Sequence, residues 1–185
     1  MSADAGLAAE DGSVFRLPFQ TEHFLLELLT PKDFNALNLV ASDPLLWEQH
    51  PEADRWKRSK FQHFFQDGLT NDLGCFVIKE KRSGRPAGSS RFYGYDEADR
   101  CIRIGYTFIA RELWGTAANR KIKEAMLMRA FNVVDRVFLI SDLKISGLLP
   151  PLRSWMQSSV TTNLTAKRST CYQSNSGSKL SEFVR

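Results

Sequence analysis

The feature that most constrains this chain is a change of period between Cys101 and Asp135. "CIRIGYTFI" (101–109) is a β-branched and aromatic run of strand character. "ARELWGT" interrupts it. "AANRKIKEAMLMRAFNVVD" then sets Ile122, Met126, Ala130, Phe131 and Val134 on one side of a helix. A strand that turns into a helix through so short a loop leaves the helix start close to the end of that strand. The first N–H groups of a helix have no acceptor within it, and the dipole is positive there, so an anion is favoured. Gly115, Thr116, Ala117 and Ala118 are small enough to let a phosphate reach the backbone, and Lys121 and Lys123 add positive charge nearby. A plain strand-to-helix turn that binds nothing is the alternative, and these residues alone leave it open.

The flanking sequence supplies the rest of a layered α/β (α+β) domain. "HFLLELL" (23–29) is short and apolar. Thr30 is placed to cap a helix with Pro31 at its first position, and Phe34, Leu37, Leu39 and Val40 are expected on its buried face. "SKFQHFFQDGL" carries Phe61, Phe64, Phe65 and Leu69 at helical spacing. "CFVIKEK", "AGSSRFYGY" and "CIRIGYTFI" are three strands joined by the turns "RSGRP" and "DEADR", which makes an antiparallel meander. "RVFLIS" is a strand after the long helix. The order is β-α-β-β-β-α-β with an extra early helix: a mixed, mostly antiparallel sheet flanked by helices.

Charge and cysteine usage exclude some classes. The formal net charge is +4 over 185 residues. Six Lys/Arg against two Asp/Glu fall in 142–185, so that segment holds the whole excess and residues 1–141 balance at zero. A folded basic face for nucleic acid is therefore not expected. No run reaches the ~18 apolar residues of a membrane span. "MSADAGLAAEDGSV" (1–14) has neither a basic n-region nor a long apolar core and reads as a disordered leader rather than a secretory signal. Cys75, Cys101 and Cys171 make an odd number without metal-type spacing, which fits a reduced, cytoplasmic protein with no metal.

"IGYTFIARELWGTAANRKIKEAMLMRAF", with "DPLLWEQHP" and "GSSRFYGYD" in the same order, resembles the GNAT N-acetyltransferase superfamily. The nearest branch looks like the ribosomal-protein N-terminal acetyltransferases, and the likeness covers about residues 20–141. It implies transfer of an acetyl group from acetyl-CoA to a primary amine, on a protein N-terminus or a small molecule. It also implies that Gly115, Thr116, Ala117 and Ala118 line the cofactor phosphates, that Asn119 caps the loop or contacts cofactor, and that Tyr106, Phe108 and Ile109 lie along the pantetheine arm and offer it backbone groups. Where relatives often begin this loop with Gln or Arg, Glu112 stands here, so phosphate contact rests on backbone and on Arg111. Many relatives carry a Glu base just before "I-G-Y"; Arg103 holds that place. The remaining candidates for the base are Glu48, His50 and Tyr106, with loop, turn-capping and packing roles as their plain alternatives. Trp47 and Arg91 are the candidate acceptor contacts, Arg91 for an acidic group unless it makes only a surface ion pair.

After Ser141 the pattern dissolves. The family pattern calls for another cofactor-side helix and two strands, yet "DLKISGLLPPLRSWMQSSV" follows. Back-translation of Lys144 onward with permitted codons, read from the third base, gives "N-L-R-S-A-A-A-V-K-K-L-D-A-K". Trp155 and Met156 have one codon each, and across Trp155–Gln157 that frame must read Asp-Ala. The same frame continues into a turn and an apolar strand. A single-nucleotide shift near Asp142–Lys144 is the expectation, with residues 142–185 as an anomalous, disordered tail, the domain confined to 15–141, and "RVFLIS" left as an open sheet edge. Besides an active acetyltransferase, two alternatives stand: an inactive remnant that at most binds CoA, and a non-enzymatic α/β interaction domain.

Overall fold

A computed structural model describes residues 12–140 and 181–184 of the chain, the last four as backbone only. The leader up to residue 11 and most of the segment after Ile140, including the expected shifted frame and Cys171, lie outside the described residues.

Seven strands form one sheet in chain order: β1 (Phe19–Gln20), β2 (Phe24–Leu28), β3 (Cys75–Glu80), β4 (Pro86–Asp96), β5 (Cys101–Ile109), β6 (Arg136–Ile140) and β7 (Ser181–Val184). All neighbours are antiparallel except β5 and β6. That parallel pair is what the intervening helix α3 (Ala118–Phe131) makes possible, because a crossover must separate parallel neighbours. The expected open edge at Arg136–Ile140 is corrected: β7 pairs with it from Val137↔Val184 to Ile140↔Ser181. Unpaired edge N–H and C=O groups take up an extended segment that reaches them, and "SEFV" does so here.

Helices α1 (Phe34–Ala41) and α2 (Arg58–Leu69) cover one sheet face and α3 the other. The α3 face packs Ile122, Met126, Leu127 and Ala130 against Phe76, Ile78, Phe92, Ile102 and Ile104. The opposite face packs Phe61, Phe64, Phe65 and Trp47 against Val77 and Phe108. Val14 and the fully buried Phe15 close the first core from a short turn at Gly12–Arg16. Thr30 and Asp33 form a reciprocal capping box, with Pro31 at the first turn. Two residues expected in the core are elsewhere. Leu39 is 75% exposed, since two positions past Leu37 is ~200° around a helix, and the buried partner is Ala41. Phe131 sits at the α3 end, half-exposed, while Leu127 fills the core in its stead.

Candidate active site

The site is built around a break in the sheet. β5 pairs with β6 only from Cys101 to Ile104. From Gly105 to Ile109 it has β4 on one side and no described strand on the other. The register against β4 explains the divergence: Ser89↔Phe108 is followed by Arg91↔Gly105, so β5 carries one extra residue, a bulge. Tyr106 sits in that bulge at φ +51°, a left-handed conformation rare for a bulky side chain. Such outliers gather at functional sites, where the surrounding fold sustains them. Opposite, Gly88 lets the strands close up, because a Cβ there would overlap the Phe108 carbonyl.

The loop after β5 is held by its own hydrogen bonds. The Trp114 indole donates to the Ile109 carbonyl (3.0 Å), and the Thr116 hydroxyl donates to Leu113 O (2.6 Å) while accepting from Ala118 N (3.1 Å). Gly115 makes the turn at φ +74° with nothing within 4 Å of where a Cβ would stand. These bonds use the amides of Trp114, Thr116 and Ala118, and not those of Gly115, Ala117 or Asn119. The buried Asn119 Oδ1 has no hydrogen-bond partner. Unused amides at a helix start and an orphaned buried acceptor fit a ligand that brings both phosphate and N–H groups. Pyrophosphate and pantetheine amides of acetyl-CoA supply that set, so the residues fit the cofactor. Phe108 and Ile109 point their side chains into the two cores; the Phe108 carbonyl turns toward Gly88 of β4, and of the two it is Ile109 whose backbone faces the open edge.

Arg111 is paired with a carboxylate beside the loop. Its Nη1 donates to Asp43 Oδ2 at 3.0 Å and Oδ1 at 3.2 Å, both side chains partly exposed. These bonds use Nη1 alone, so the guanidinium can face a phosphate with its other N–H groups while it stays on Asp43. Lys121 pairs with Glu124, as does Arg120. Lys123 is the one member of this basic group whose amine turns inward, to Thr107 Oγ1 (2.5 Å) and Ser90 Oγ (3.4 Å). Burial lowers its pKa from the ordinary 10.5 to about 7.

On the α2 side, Arg91 is only 4% exposed, so it is not the surface ion pair that its sequence context allowed. Its guanidinium lies 4.1 Å from the Tyr106 ring centre and 4.9 Å from that of Phe64. One Nη2 bond reaches Phe64 O (3.2 Å), and Nε has no partner. Trp47 is buried with its N–H on Ala41 O (2.7 Å), beside Phe64 and Phe108. It therefore supports the site from inside the core. His50 accepts from Glu52 N at Nδ1 (2.9 Å) and faces Arg55 Nη1 at Nε2 (3.1 Å), which ties it into the turn before α2. Glu48 is exposed on that turn. Arg103 faces away, with Nη1 on Gly94 O and its guanidinium over Phe138. A groove of about 300 Å³ between Pro31, Phe34 and α2 contains none of these residues.

A model of the acetyltransferase (GNAT) domain matches residues 23–179. The chain belongs to this GNAT family. The family match begins one residue before β2 and runs past Ile140 into residues outside those described. No curated protein sequence matches the chain. Solved GNAT structures share its fold. A GNAT acetyltransferase from Bacillus anthracis is 14% identical, with a TM-score of 0.57 over 68% of this chain and 74% of that one. A GCN5-related N-acetyltransferase from Brucella melitensis is 20% identical, with a TM-score of 0.60 over 76% and 65%. A structure described as a ribosomal-protein-serine acetyltransferase from Vibrio cholerae is 13% identical, with a TM-score of 0.58 over 76% and 81%. The chain thus carries an acyltransferase domain, and the chemistry its family performs is acetyl transfer. Among the described residues no helix is long and apolar enough to cross a membrane.

Proposed function

We propose that this protein transfers the acetyl group of acetyl-CoA to a primary amine, on a protein N-terminus or a small molecule, in the cytoplasm. The observation that carries the reading is one juxtaposition. The unpaired edge of β5 from Gly105 to Ile109 leads directly to unused amides and an orphaned Asn119 acceptor at the start of α3. The unused amides of Gly115, Ala117 and Asn119 hold the phosphates, Thr116 and Ala118 shape the loop around them, Ile109 presents backbone to the arm beside Phe108, and Arg111 adds positive charge from its place on Asp43. Acetyl-CoA supplies an activated acyl group when bound; the chain orients it and excludes water.

The acceptor enters from the α2 side, over Arg91, Tyr106 and Phe64. A buried cation without a carboxylate partner is costly unless something compensates it. Arg91 therefore favours an acceptor that carries a carboxylate or similar anion. The attacking nitrogen must be uncharged, yet an alkylamine has a pKa of about 10 and an α-amine about 8. Tyr106, on the bulge and partly exposed, is best situated to pass the proton to water. Glu48 is the exposed second candidate, and His50 serves the turn.

Release of free thiol in the presence of acetyl-CoA and a panel of amines tests this directly. Amines bearing a carboxylate are expected to react fastest, and no release with any amine overturns the reading. A second reading, a remnant that binds CoA and transfers nothing, is favoured by the lost pattern after Ser141. Cofactor binding without thiol release identifies it.

A further inference from the structure

Lys123 presents a problem that phosphate binding does not solve. Its amine is enclosed between α3 and the sheet, although the residue keeps part of its surface exposed. Its contacts are hydroxyls: Thr107 Oγ1 and Ser90 Oγ, themselves 2.7 Å apart. Neither packed strand brings it a charge. Arg91 of β4 points to the opposite face, toward Phe64 and Tyr106. On its own helix, Glu124 pairs with Arg120 and Lys121. Burial alone accounts for its lowered pKa, with no counter-ion contributing.

The position of this amine along β5 is informative. The phosphate end of the proposed cofactor site is fixed at Gly115–Asn119. The open β5 edge runs from there back through Ile109 and Phe108 to the bulge, so the sulfur end of the cofactor lies toward Tyr106 and Thr107. Lys123 is bonded to Thr107, whose hydroxyl also donates to Gly105 O within the bulge (3.4 Å). Asn119, with its orphaned acceptor, lies one helical turn before Lys123 on the same face of α3. Polar groups thus follow the edge from its phosphate end to its sulfur end.

We propose that the Lys123 amine is the counter-ion of the CoA thiolate, pairing from behind β5 with the sulfur left when the acetyl group has gone. This rests on the cofactor assignment above. Pairing moves the thiol proton to the amine, so no net charge enters the enclosed site. Mutual attraction lowers the thiol's pKa and raises the amine's. The same pairing stabilises the leaving group of the transfer reaction.

The test is an ultraviolet titration of the thiolate of free CoA bound to the full chain, beside calorimetry of CoA and acetyl-CoA binding. The bound thiol is expected to ionise at least tenfold more readily than free CoA, about one pH unit lower. Lys123→Met should abolish that shift and weaken CoA roughly tenfold while leaving acetyl-CoA affinity within about twofold. Thr107→Val, which keeps the amine but cuts its tie to the bulge, should fall between. CoA that binds with the same thiol ionisation in the wild type and Lys123→Met overturns this proposal alone. A full chain that binds neither CoA nor acetyl-CoA overturns the cofactor reading and this one with it.

Discussion

At the scale of single residues, Lys123 and Arg91 separate stability from function. The pKa of Lys123 is about 7 in the fold against an ordinary 10.5. Between those values the unfolded chain holds the extra proton, so stability rises with pH across that range. Below about pH 7 both states are protonated and the full cost of enclosing the charge remains. Lys123→Met should therefore raise stability by a few kcal/mol at pH 7 and flatten the dependence above it. Denaturant unfolding at pH 7 and pH 10 measures both effects; equal destabilisation at the two pH values contradicts them. Arg91→Met should raise KM roughly 10- to 100-fold for acceptors with a carboxylate, as befits a lost charge-assisted hydrogen bond. Neutral amines should be little affected, and a uniform loss across all amines would count against an anion-binding role. Neither residue's burial was legible in the sequence. Lys123 reads as one of several basic residues on a helix, and Arg91 as a surface charge between two serines and an aromatic run. Their environments depend on strands far away in the chain.

At the scale of elements, the start of α3 carries the cofactor assignment. Ala117 is exposed, with φ −74° and ψ −1°, so a larger residue fits its backbone without strain. Ala117→Glu places a negative charge beside the helix N-terminus, which favours the helix but repels phosphate. The variant should keep its unfolding midpoint while losing cofactor affinity at least 100-fold, by calorimetry. Gly115→Glu should lose binding too, with added strain at φ +74°. The elements themselves were mostly readable. Short runs bounded by the turns RSGRP and DEADR gave β3, β4 and β5, which are buried on both faces for much of their length, and the phenylalanine spacing gave α2, whose buried face matches the helical period. The bulge at Tyr106 was not readable, since one extra residue against β4 leaves no mark on β5 alone. The two-residue β1 was missed because it is too short to show a period. Leu39 misled because apolar content was read without its angle around the helix.

At the scale of the whole molecule, the expectation for the sequence after Ile140 bears on stability. β7 protects part of the β6 edge. If the shifted frame removes the helix and strands that the family pattern calls for, a few hundred Å² of apolar surface left wet costs several kcal/mol at roughly 25 cal/mol per Å². Against typical margins of about 5–15 kcal/mol, the chain is expected to unfold below ~55 °C and to aggregate. Cooperative monomeric unfolding above that temperature, read by scanning calorimetry, contradicts the expectation. We propose the shifted reading frame near Asp142–Lys144 as the cause. Genomic sequence that opens with a stop codon or lacks Leu-Asp-Ala in that frame refutes it. A chain rebuilt in the shifted frame should gain stability and transfer activity together. The central claim, however, is that residues 105–119 hold an acyl-CoA, and calorimetric titration of the full chain with acetyl-CoA tests it most directly. One-to-one binding that Ala117→Glu abolishes is expected. No binding, or binding that Ala117→Glu leaves unchanged, would contradict it.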